Sequence, residues 1–278
     1  MFFLHPPFDG DRKKCFRTDK LSQSWMFIQR EAKFVQNTRH FATPIIIPLE
    51  EAIHMIYILD TADIEQIRYC NEFYPLAGVT TNPTIISKAH DDFWKIVKEI
   101  RSIIGPDKMF HVQTTQKKAE DIVEEAKLLK EKIGGVFYVK IPICEEGLKA
   151  TMALKKIGIG VTMTAIFTPA QALIAAKAGA SFVAPYVNRL DNIIADGCEV
   201  VGEITKQLSI YNLDCKVLAA SFKTAEQVHK CASSGCHSVT VSPSILKALI
   251  VNPMTDVAIA GFERDWEGVY GDKTILEF

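Results

Sequence analysis

The sequence predicts an α/β protein of the (β/α)8 class, a TIM barrel that forms a single domain with an extra C-terminal helix. From residue 55 onward, eight short apolar segments alternate with amphipathic helical stretches, which is typical of parallel strands joined by right-handed crossovers. Nearly every apolar segment ends on a polar residue, as strands do at the carboxyl-terminal rim of such a barrel. An open doubly wound sheet is the alternative, but the first predicted strand ends in LDTA, without the glycine-rich phosphate loop usual in that fold.

The elements follow from the hydrophobic pattern. The predicted strands are residues 56–59, 76–80, 109–113, 136–141, 160–164, 181–184, 215–220 and 238–242. The clearest helix is predicted at residues 118–133, where an apolar stripe recurs at helical spacing and ends at a pair of glycines. The stripe consists of Ile122, Ala126, Leu129 and Ile133.

Polar residues at the ends of the strands are the candidate functional residues. Asn82 and Ser242 each precede a proline, so a turn-forming role is an equal alternative for these two. The rim set is Asp60, Thr80 with Asn82, Gln113, Lys140, Thr164, Tyr186, Ser221 and Ser242.

Residues 1–54 differ from the rest of the chain because they show no sustained period. We interpret them as an N-terminal extension outside the domain of residues 55–278, either disordered or the product of a mis-assigned start. A targeting peptide would contain few acidic residues, whereas this segment has several, and no core for an accessory domain is evident. The codons for residues 50–52 can spell a purine-rich ribosome-binding site, which favours a start at Met55.

Composition restricts the class of partner. The chain has 278 residues, of which 48% are hydrophobic and 23% charged, and its net charge is −1. These values are ordinary for a soluble globular protein and give no bulk attraction to nucleic acid or to an anionic membrane. The 7 cysteines include no C-x-x-C pair, which indicates buried thiols in a reducing cytoplasm. We therefore expect a cytoplasmic protein that acts on a small molecule.

Lys140 is the most informative residue, because it lies within the apolar segment 136–141. Side chains alternate along a strand, so Phe137, Val139 and Ile141 would pack under helices while Lys140 points into the barrel with Val136 and Tyr138. A buried lysine needs a partner or a function. An ion pair with Asp60 across the barrel is the structural alternative.

The functional interpretation rests on amine chemistry. A free lysine has a pKa of about 10.4, and only its neutral form attacks a carbonyl. Desolvation inside a barrel lowers that pKa, so the amine can form an imine with a ketone. The imine withdraws electrons from the neighbouring carbon, which permits carbon–carbon cleavage without a metal. We expect no metal or other cofactor, since His111 and Gln113 lack companion ligands, and the cluster Cys231, Cys236 and His237 is too small and wrongly spaced for structural zinc.

Five ordered motifs now carry a resemblance: LDT at 59–61, AGVTTNP at 77–83, VKIP at 139–142, VAPYVNR at 183–189 and AASFK at 219–223. From Met55 to near its C-terminus the chain closely resembles the fructose-6-phosphate aldolase branch of the small transaldolase family. The resemblance implies a barrel enzyme without cofactors whose fourth strand carries the Schiff-base lysine, here Lys140. Residues 1–54 have no counterpart in that family.

The resemblance also implies roles for individual residues. Asp60 would assist proton movements near the imine. Gln113, Thr164 and Tyr186 would hold a catalytic water and transfer protons. Asn82, Thr80 and Ala184 would belong to the substrate-binding surface, and Arg189 with Ser221 would bind the phosphate of the acceptor aldehyde. Structural alternatives are a rim salt bridge for Arg189, a turn position for Ser221 and a packed barrel tyrosine for Tyr186.

Two residues separate the activities within the family. True transaldolases typically carry Glu at the position of Gln113 and Phe at that of Tyr186, so this chain has the aldolase-type residue at both. We expect reversible cleavage of fructose 6-phosphate to dihydroxyacetone and glyceraldehyde 3-phosphate. The alternatives are a transaldolase, which would pass the dihydroxyacetone unit between sugar phosphates, and a non-catalytic barrel that binds sugar phosphates.

A last helix is predicted at about residues 256–269, with Phe262, Trp266 and Val269 on one stripe. It could pack on its own barrel. The family resemblance instead implies contact with a neighbouring subunit in a homo-oligomer, up to a decamer of two pentameric rings.

Overall fold

A computed structural model describes residues 55–278, which form a closed barrel of eight parallel strands with sequential neighbours paired. The predicted (β/α)8 fold is therefore confirmed. The closing contact joins the first strand to the last, with Ile56 opposite Ser238 and Leu59 opposite Val241. The strands are β1 Ile56–Asp60, β2 Leu76–Thr80, β3 Met109–Gln113, β4 Phe137–Pro142, β5 Gly160–Ile166, β6 Phe182–Pro185, β7 Lys216–Ala219 and β8 Ser238–Val241.

Helices follow the strands along the chain, and local signals set their ends. Thr168 and Thr224 begin helices with capping boxes, in which the threonine side chain accepts from the backbone three residues on and a glutamine returns the bond. Gly134 ends a helix with a φ of 64°. The helices are Ile64–Phe73, Pro83–Ser87, Phe93–Ile104, Ala119–Ile133, Glu145–Lys156, Pro169–Ala178, Val187–Asp191, Gly197–Ile210, Ala225–Ser233, Pro243–Ala248 and Pro253–Tyr270.

The predicted elements agree closely with the observed ones. Each predicted strand overlaps its observed counterpart, with ends that differ by two residues at most. The helix expected at 118–133 spans Ala119–Ile133, and the four residues of its apolar stripe are all buried. Periodicity was sufficient for this helix because it has one buried stripe, whereas the strands were recognisable as short apolar segments.

Apolar packing occurs on both sides of the barrel wall. Outward-facing strand residues such as Val79, Val139 and Val161 pack in the large core shared with the helices. A smaller interior cluster fills the barrel itself. It consists of Ile58, Phe182 and Leu218, with the partly buried Ile56, Ala77, Met109 and Tyr138 against them.

The helix Pro253–Tyr270 is longer than predicted and buries none of its residues. Phe262 and Val269 are each 73% exposed, so the alternative in which this stripe packs on its own barrel is not observed. Trp266 instead packs against Tyr270 and Phe278, and its ring nitrogen donates to the Lys273 carbonyl at 2.7 Å. The apolar stripe thus remains open on one side.

The remaining findings concern the N-terminal segment, the cysteines and the hydropathy of the helices. The N-terminal extension of residues 1–54 lies outside the described residues. Five of the six cysteines that the structure describes are buried as expected, whereas Cys144 is exposed at the start of a helix. Within residues 55–278, every helix is too short or too polar to cross a lipid bilayer.

Candidate active site

A cavity of about 690 Å³ lies at the carboxyl-terminal end of the strands. Its wall contains seven of the ten residues predicted for the site, brought together from six different strand ends. The other three, Thr80, Thr164 and Ala184, are almost fully buried behind the cavity wall. The seven are Asp60, Asn82, Gln113, Lys140, Tyr186, Arg189 and Ser221.

Lys140 points inward from β4 and reaches this cavity while remaining only 5% exposed. Its Nζ donates a hydrogen bond to the backbone oxygen of Thr81 at 3.0 Å. Burial lowers the pKa of Lys140, and the negative charge of Asp60 opposes that change without cancelling it. Within residues 55–278, Lys140 forms no salt bridge, so the alternative of an ion pair with Asp60 is not observed.

Asp60 lies at the end of β1 in a chain of hydroxyl groups. The Thr80 hydroxyl donates to an oxygen of Asp60 at 2.7 Å and lies 2.6 Å from the Thr240 hydroxyl. A threonine has one hydroxyl proton, and that of Thr80 is used on Asp60. Thr240 must therefore donate to Thr80, so the two threonines fix the orientation of the Asp60 carboxylate, which accepts the hydrogen bond.

A second polar pair joins β5 to the residue after β6. The hydroxyl oxygens of Thr164 and Tyr186 are 3.0 Å apart. The edge of the Tyr186 ring meets Phe167 at 5.6 Å, and its face lies 4.7 Å from the Arg189 guanidinium carbon. Gln113 is directly opposite Lys140 in the β3–β4 pairing. An amide and a phenol thus flank the amine, both able to bind a water.

The cavity lining is rich in cationic groups. Arg189, Lys223 and Lys88 line the cavity, and Asp60 is its only lining carboxylate in the described chain. Ser221 has a left-handed backbone with a φ of 65°, and its carbonyl accepts from the Asn188 backbone at 2.9 Å. Non-glycine residues adopt this conformation rarely, and often at functional sites. A guanidinium, a lysine and a hydroxyl together suit a phosphate.

The turn-forming interpretation of Asn82 and Ser242 is confirmed for their oxygen atoms. The Asn82 side-chain oxygen accepts from the Ile85 backbone at 3.0 Å, and the Ser242 hydroxyl accepts from Ile245 at 3.4 Å. Both residues nevertheless line the cavity. Because the cap uses the oxygen of Asn82, its amide nitrogen is the group available to a substrate.

Sequence reasoning did not identify Thr81, Thr240, Lys88 or Lys223 as site residues. Thr81 contributes only a backbone oxygen, which no side-chain pattern reveals. Lys223 lies in the AASFK motif and could have been inferred from its position after a strand end. Lys88 and Thr240 carry no comparable signal, because a surface lysine after a short helix and a threonine within a strand are ordinary.

Comparison with known proteins adds evidence independent of this geometry. The family model described as "Transaldolase/Fructose-6-phosphate aldolase" matches residues 57–272. Among solved structures, a "Native KDPGal structure" is similar at 16% identity and a TM-score of 0.48, covering 73% of this chain and 85% of the other. A mandelate oxidase variant with an FMN adduct is similar at 14% identity and the same TM-score, covering 78% and 74%. At such low sequence identity and TM-score, neither structure informs the function of this protein. The family match spans most of the chain, and the protein therefore belongs to the transaldolase/fructose-6-phosphate aldolase family.

Proposed function

We propose that this protein is a class I aldolase that reversibly cleaves fructose 6-phosphate to dihydroxyacetone and glyceraldehyde 3-phosphate through a Schiff base on Lys140. The observation that carries the proposal is the burial of this single amine at a polar cavity, with its pKa lowered by desolvation. A barrel that only bound sugar phosphates would have no need of a buried amine.

The proposed reaction starts when the neutral Lys140 amine attacks the ketone carbon of the substrate. Loss of water gives an iminium ion that can accept electrons. The hydroxyl on the fourth carbon then gives up its proton to the water held beside Gln113, Thr164 and Tyr186, the bond between the third and fourth carbons breaks, and its electron pair forms an enamine. Glyceraldehyde 3-phosphate leaves at this step. Protonation of the enamine and addition of water release dihydroxyacetone and restore the amine.

The surrounding groups match these proton transfers. Asp60 is held in place by the hydrogen bond from Thr80, and its carboxylate is suited to take a proton during formation or hydrolysis of the imine. Tyr186 is hydrogen-bonded to Thr164, and its hydroxyl is suited to donate a proton to the enamine and to accept one in the reverse reaction. Gln113 lies beside the lysine in the sheet, where its amide can hold the attacking water. The proposal assigns Asp60 and Tyr186 as proton carriers and Gln113 and Thr164 as water-holding groups.

The part of the cavity wall that follows β6 and β7 is suited to bind the phosphate of the acceptor aldehyde. Arg189 offers a planar pair of donors, Ser221 a hydroxyl and Lys223 an additional positive charge. Stacking on Tyr186 fixes the guanidinium next to the proposed proton donor. The phosphate would thereby be held at a set distance from the reacting carbons.

The preference for an aldolase over a transaldolase rests on two side chains. Gln113 is neutral where the resemblance gives transaldolases a Glu, and Tyr186 is a phenol where it gives them a Phe. A phenol and a neutral amide polarise the bound water differently from a carboxylate and a phenyl ring. This difference supports release of free dihydroxyacetone rather than its transfer to a second sugar.

Borohydride trapping tests the reaction class and the residue together. Incubation with dihydroxyacetone and sodium borohydride should attach one reduced adduct per chain, and peptide mapping should place it on Lys140. The Lys140→Met variant should show no adduct. The matched control is Lys156→Met, which removes an exposed lysine from the following helix and should label normally. If wild-type protein forms no adduct, the sugar-phosphate-binding alternative is favoured.

A substrate assay separates the two enzymatic alternatives. Fructose 6-phosphate alone should yield glyceraldehyde 3-phosphate and free dihydroxyacetone, measured by coupled reduction of each product. Turnover that appears only after erythrose 4-phosphate is added would identify a transaldolase.

A further inference from the structure

His111 is a fully buried polar side chain inside the barrel that the proposed reaction does not use. Its ring stacks on Tyr138 with the ring centres 4.8 Å apart and makes a T-shaped contact with Phe182 at 5.3 Å. Its Nδ1 is 2.8 Å from the Thr162 hydroxyl oxygen. Its Nε2 is buried and has no hydrogen-bond partner among the residues that the structure describes. Buried polar atoms without partners are rare in folded proteins and require a reason.

The hydrogen bond to Thr162 decides which ring nitrogen carries the proton. If Nδ1 donated to Thr162, the buried hydroxyl proton would lack an acceptor and Nε2 would be an unused acceptor as well. If Thr162 donates to Nδ1, only one group, the N–H at Nε2, is left without a partner. The second arrangement leaves fewer unsatisfied groups, so His111 carries its proton on Nε2.

This imidazole lies one layer below the reacting amine. Along β3, His111 precedes Gln113 by two residues, so both point into the barrel, and Gln113 is opposite Lys140. Thr162 on β5 is itself the residue opposite Lys140 in the β4–β5 pairing. The His111–Thr162 pair thus contacts Tyr138 and Phe182 of the apolar interior cluster on one side and neighbours the lysine through Thr162.

We propose that His111 is a positioning residue for Lys140, whose uncharged imidazole, held with its proton on Nε2 by Thr162, favours the neutral form of the lysine amine. The Nε2–H of a neutral imidazole carries a partial positive charge that no hydrogen bond within the described residues neutralises, so it disfavours a second positive charge on the nearby amine. This inference rests on the proposed Schiff-base function.

The charges around the pair are consistent with this role. Burial and the nearby positive charge of Lys140 lower the pKa of His111 to about 3, so the imidazole is neutral at any pH where the amine can react. Burial likewise lowers the pKa of Lys140. Within the described residues, the titratable or charged groups around the amine are Asp60 from β1, His111 from β3, Tyr138 from its own strand and Tyr186 after β6. Three cations, Lys88, Arg189 and Lys223, also line the cavity.

The test is the pH profile of adduct formation with dihydroxyacetone, trapped with cyanoborohydride, in full-length variants. His111→Phe keeps a ring of similar size but removes the donor, so the midpoint should move to higher pH and the rate at pH 7 should fall roughly three- to tenfold. His111→Gln places an amide N–H where Nε2 stood and should retain the wild-type midpoint. Thr162→Val, which no longer fixes the ring proton, should shift the midpoint in the same direction as His111→Phe.

Controls separate this role from a general effect of repacking. His237 is also a largely buried histidine with a lowered pKa, but its Nδ1 accepts from the Val217 backbone at 3.1 Å near the start of β7. His237→Phe should leave the midpoint unchanged. Equal midpoints in His111→Phe and wild type, or equal shifts in His111→Phe and His111→Gln, would overturn the proposal. Absence of an adduct in wild-type protein would instead reject the proposed function itself.

Discussion

Lys140 places an ionisable amine where a folded protein would be more stable with an apolar side chain. The charged form loses hydration on burial and gains one hydrogen bond, to Thr81. Burial accordingly lowers its pKa, which is the property that Schiff-base chemistry requires. Reactivity and stability thus oppose each other at this residue.

We therefore expect Lys140→Met to stabilise the protein by about 1–2 kcal/mol near neutral pH, as is common when a strained functional residue is replaced. The lysine binds fewer protons when folded, so wild-type stability rises with pH from its folded pKa up to its unfolded value of about 10.4. The gain from methionine should be largest below the folded pKa and disappear above the unfolded one. Denaturant titrations at several pH values measure it, with Lys156→Met as the control. A gain that persists at high pH would show that packing, not charge, causes it.

The sequence was a good guide to the direction of Lys140 but a poor one to its contacts. Alternation within an apolar strand was enough to place the side chain inside the barrel. The Thr81 carbonyl, the Thr240 hydroxyl and His111 escaped prediction, because their roles depend on which strands are adjacent and on the register between them. Register between distant strands is a property of the closed barrel, which local patterns do not encode.

At the level of elements, close approach of neighbouring strands depends on Gly78 in β2. A Cβ atom at this position would lie 2.1 Å from the Met109 carbonyl oxygen of β3. Since that oxygen belongs to the backbone, the two strands would have to separate. The short side chain is thus a requirement of the β2–β3 pairing.

We expect Gly78→Ala to destabilise the protein by about 2–3 kcal/mol through this overpacking. The matched control is Gly268→Ala in the helix Pro253–Tyr270, where a Cβ would meet nothing within 4 Å. Alanine should there stabilise the helix by roughly 0.5–1 kcal/mol. Thermal denaturation of both variants checks the opposite signs, and equal effects would contradict the role given to Gly78.

Strand β5 shows the limit of element prediction. Its expected end at Thr164 is followed by Ala165, which has a φ of 59°, and the register with β6 shifts between Met163 and Ile166. This irregularity lies beside Thr164 and so helps to aim its hydroxyl at Tyr186. The segment gives no warning of it, because alanine is not a residue that favours a left-handed backbone.

For the whole molecule, the exposed apolar stripe of the helix Pro253–Tyr270 is the most unusual surface. Together with the final residues it presents Phe262, Val269, Leu276 and Phe278, each at least 73% exposed. Exposed apolar surface of this kind indicates an interaction site. Following the family resemblance, we propose that a second copy of this chain covers it in a homo-oligomer.

We expect Phe262→Glu to lower the mass of the particle in solution, because it places a charge at the centre of that contact. Light scattering coupled to size-exclusion chromatography measures the change. Glu263→Ala alters the adjacent exposed position without adding a charge to the stripe and should leave the mass unaltered. A monomeric wild-type protein would contradict the proposed assembly.

The pairing of β1 with β8 has a consequence for biosynthesis. Until β8 has been synthesised, β1 of a nascent chain can pair only with β2, and the edge of β1 that faces β8 in the closed barrel has no partner. The Thr240 hydroxyl that orients Thr80, and through it Asp60, also arrives with β8. Every truncated product that ends before β8 therefore lacks both the final seam of the barrel and the group that completes the carboxylate's environment. Such fragments would present an open sheet edge to proteases, and a chain that ends before β8 would not hold the intact reaction centre.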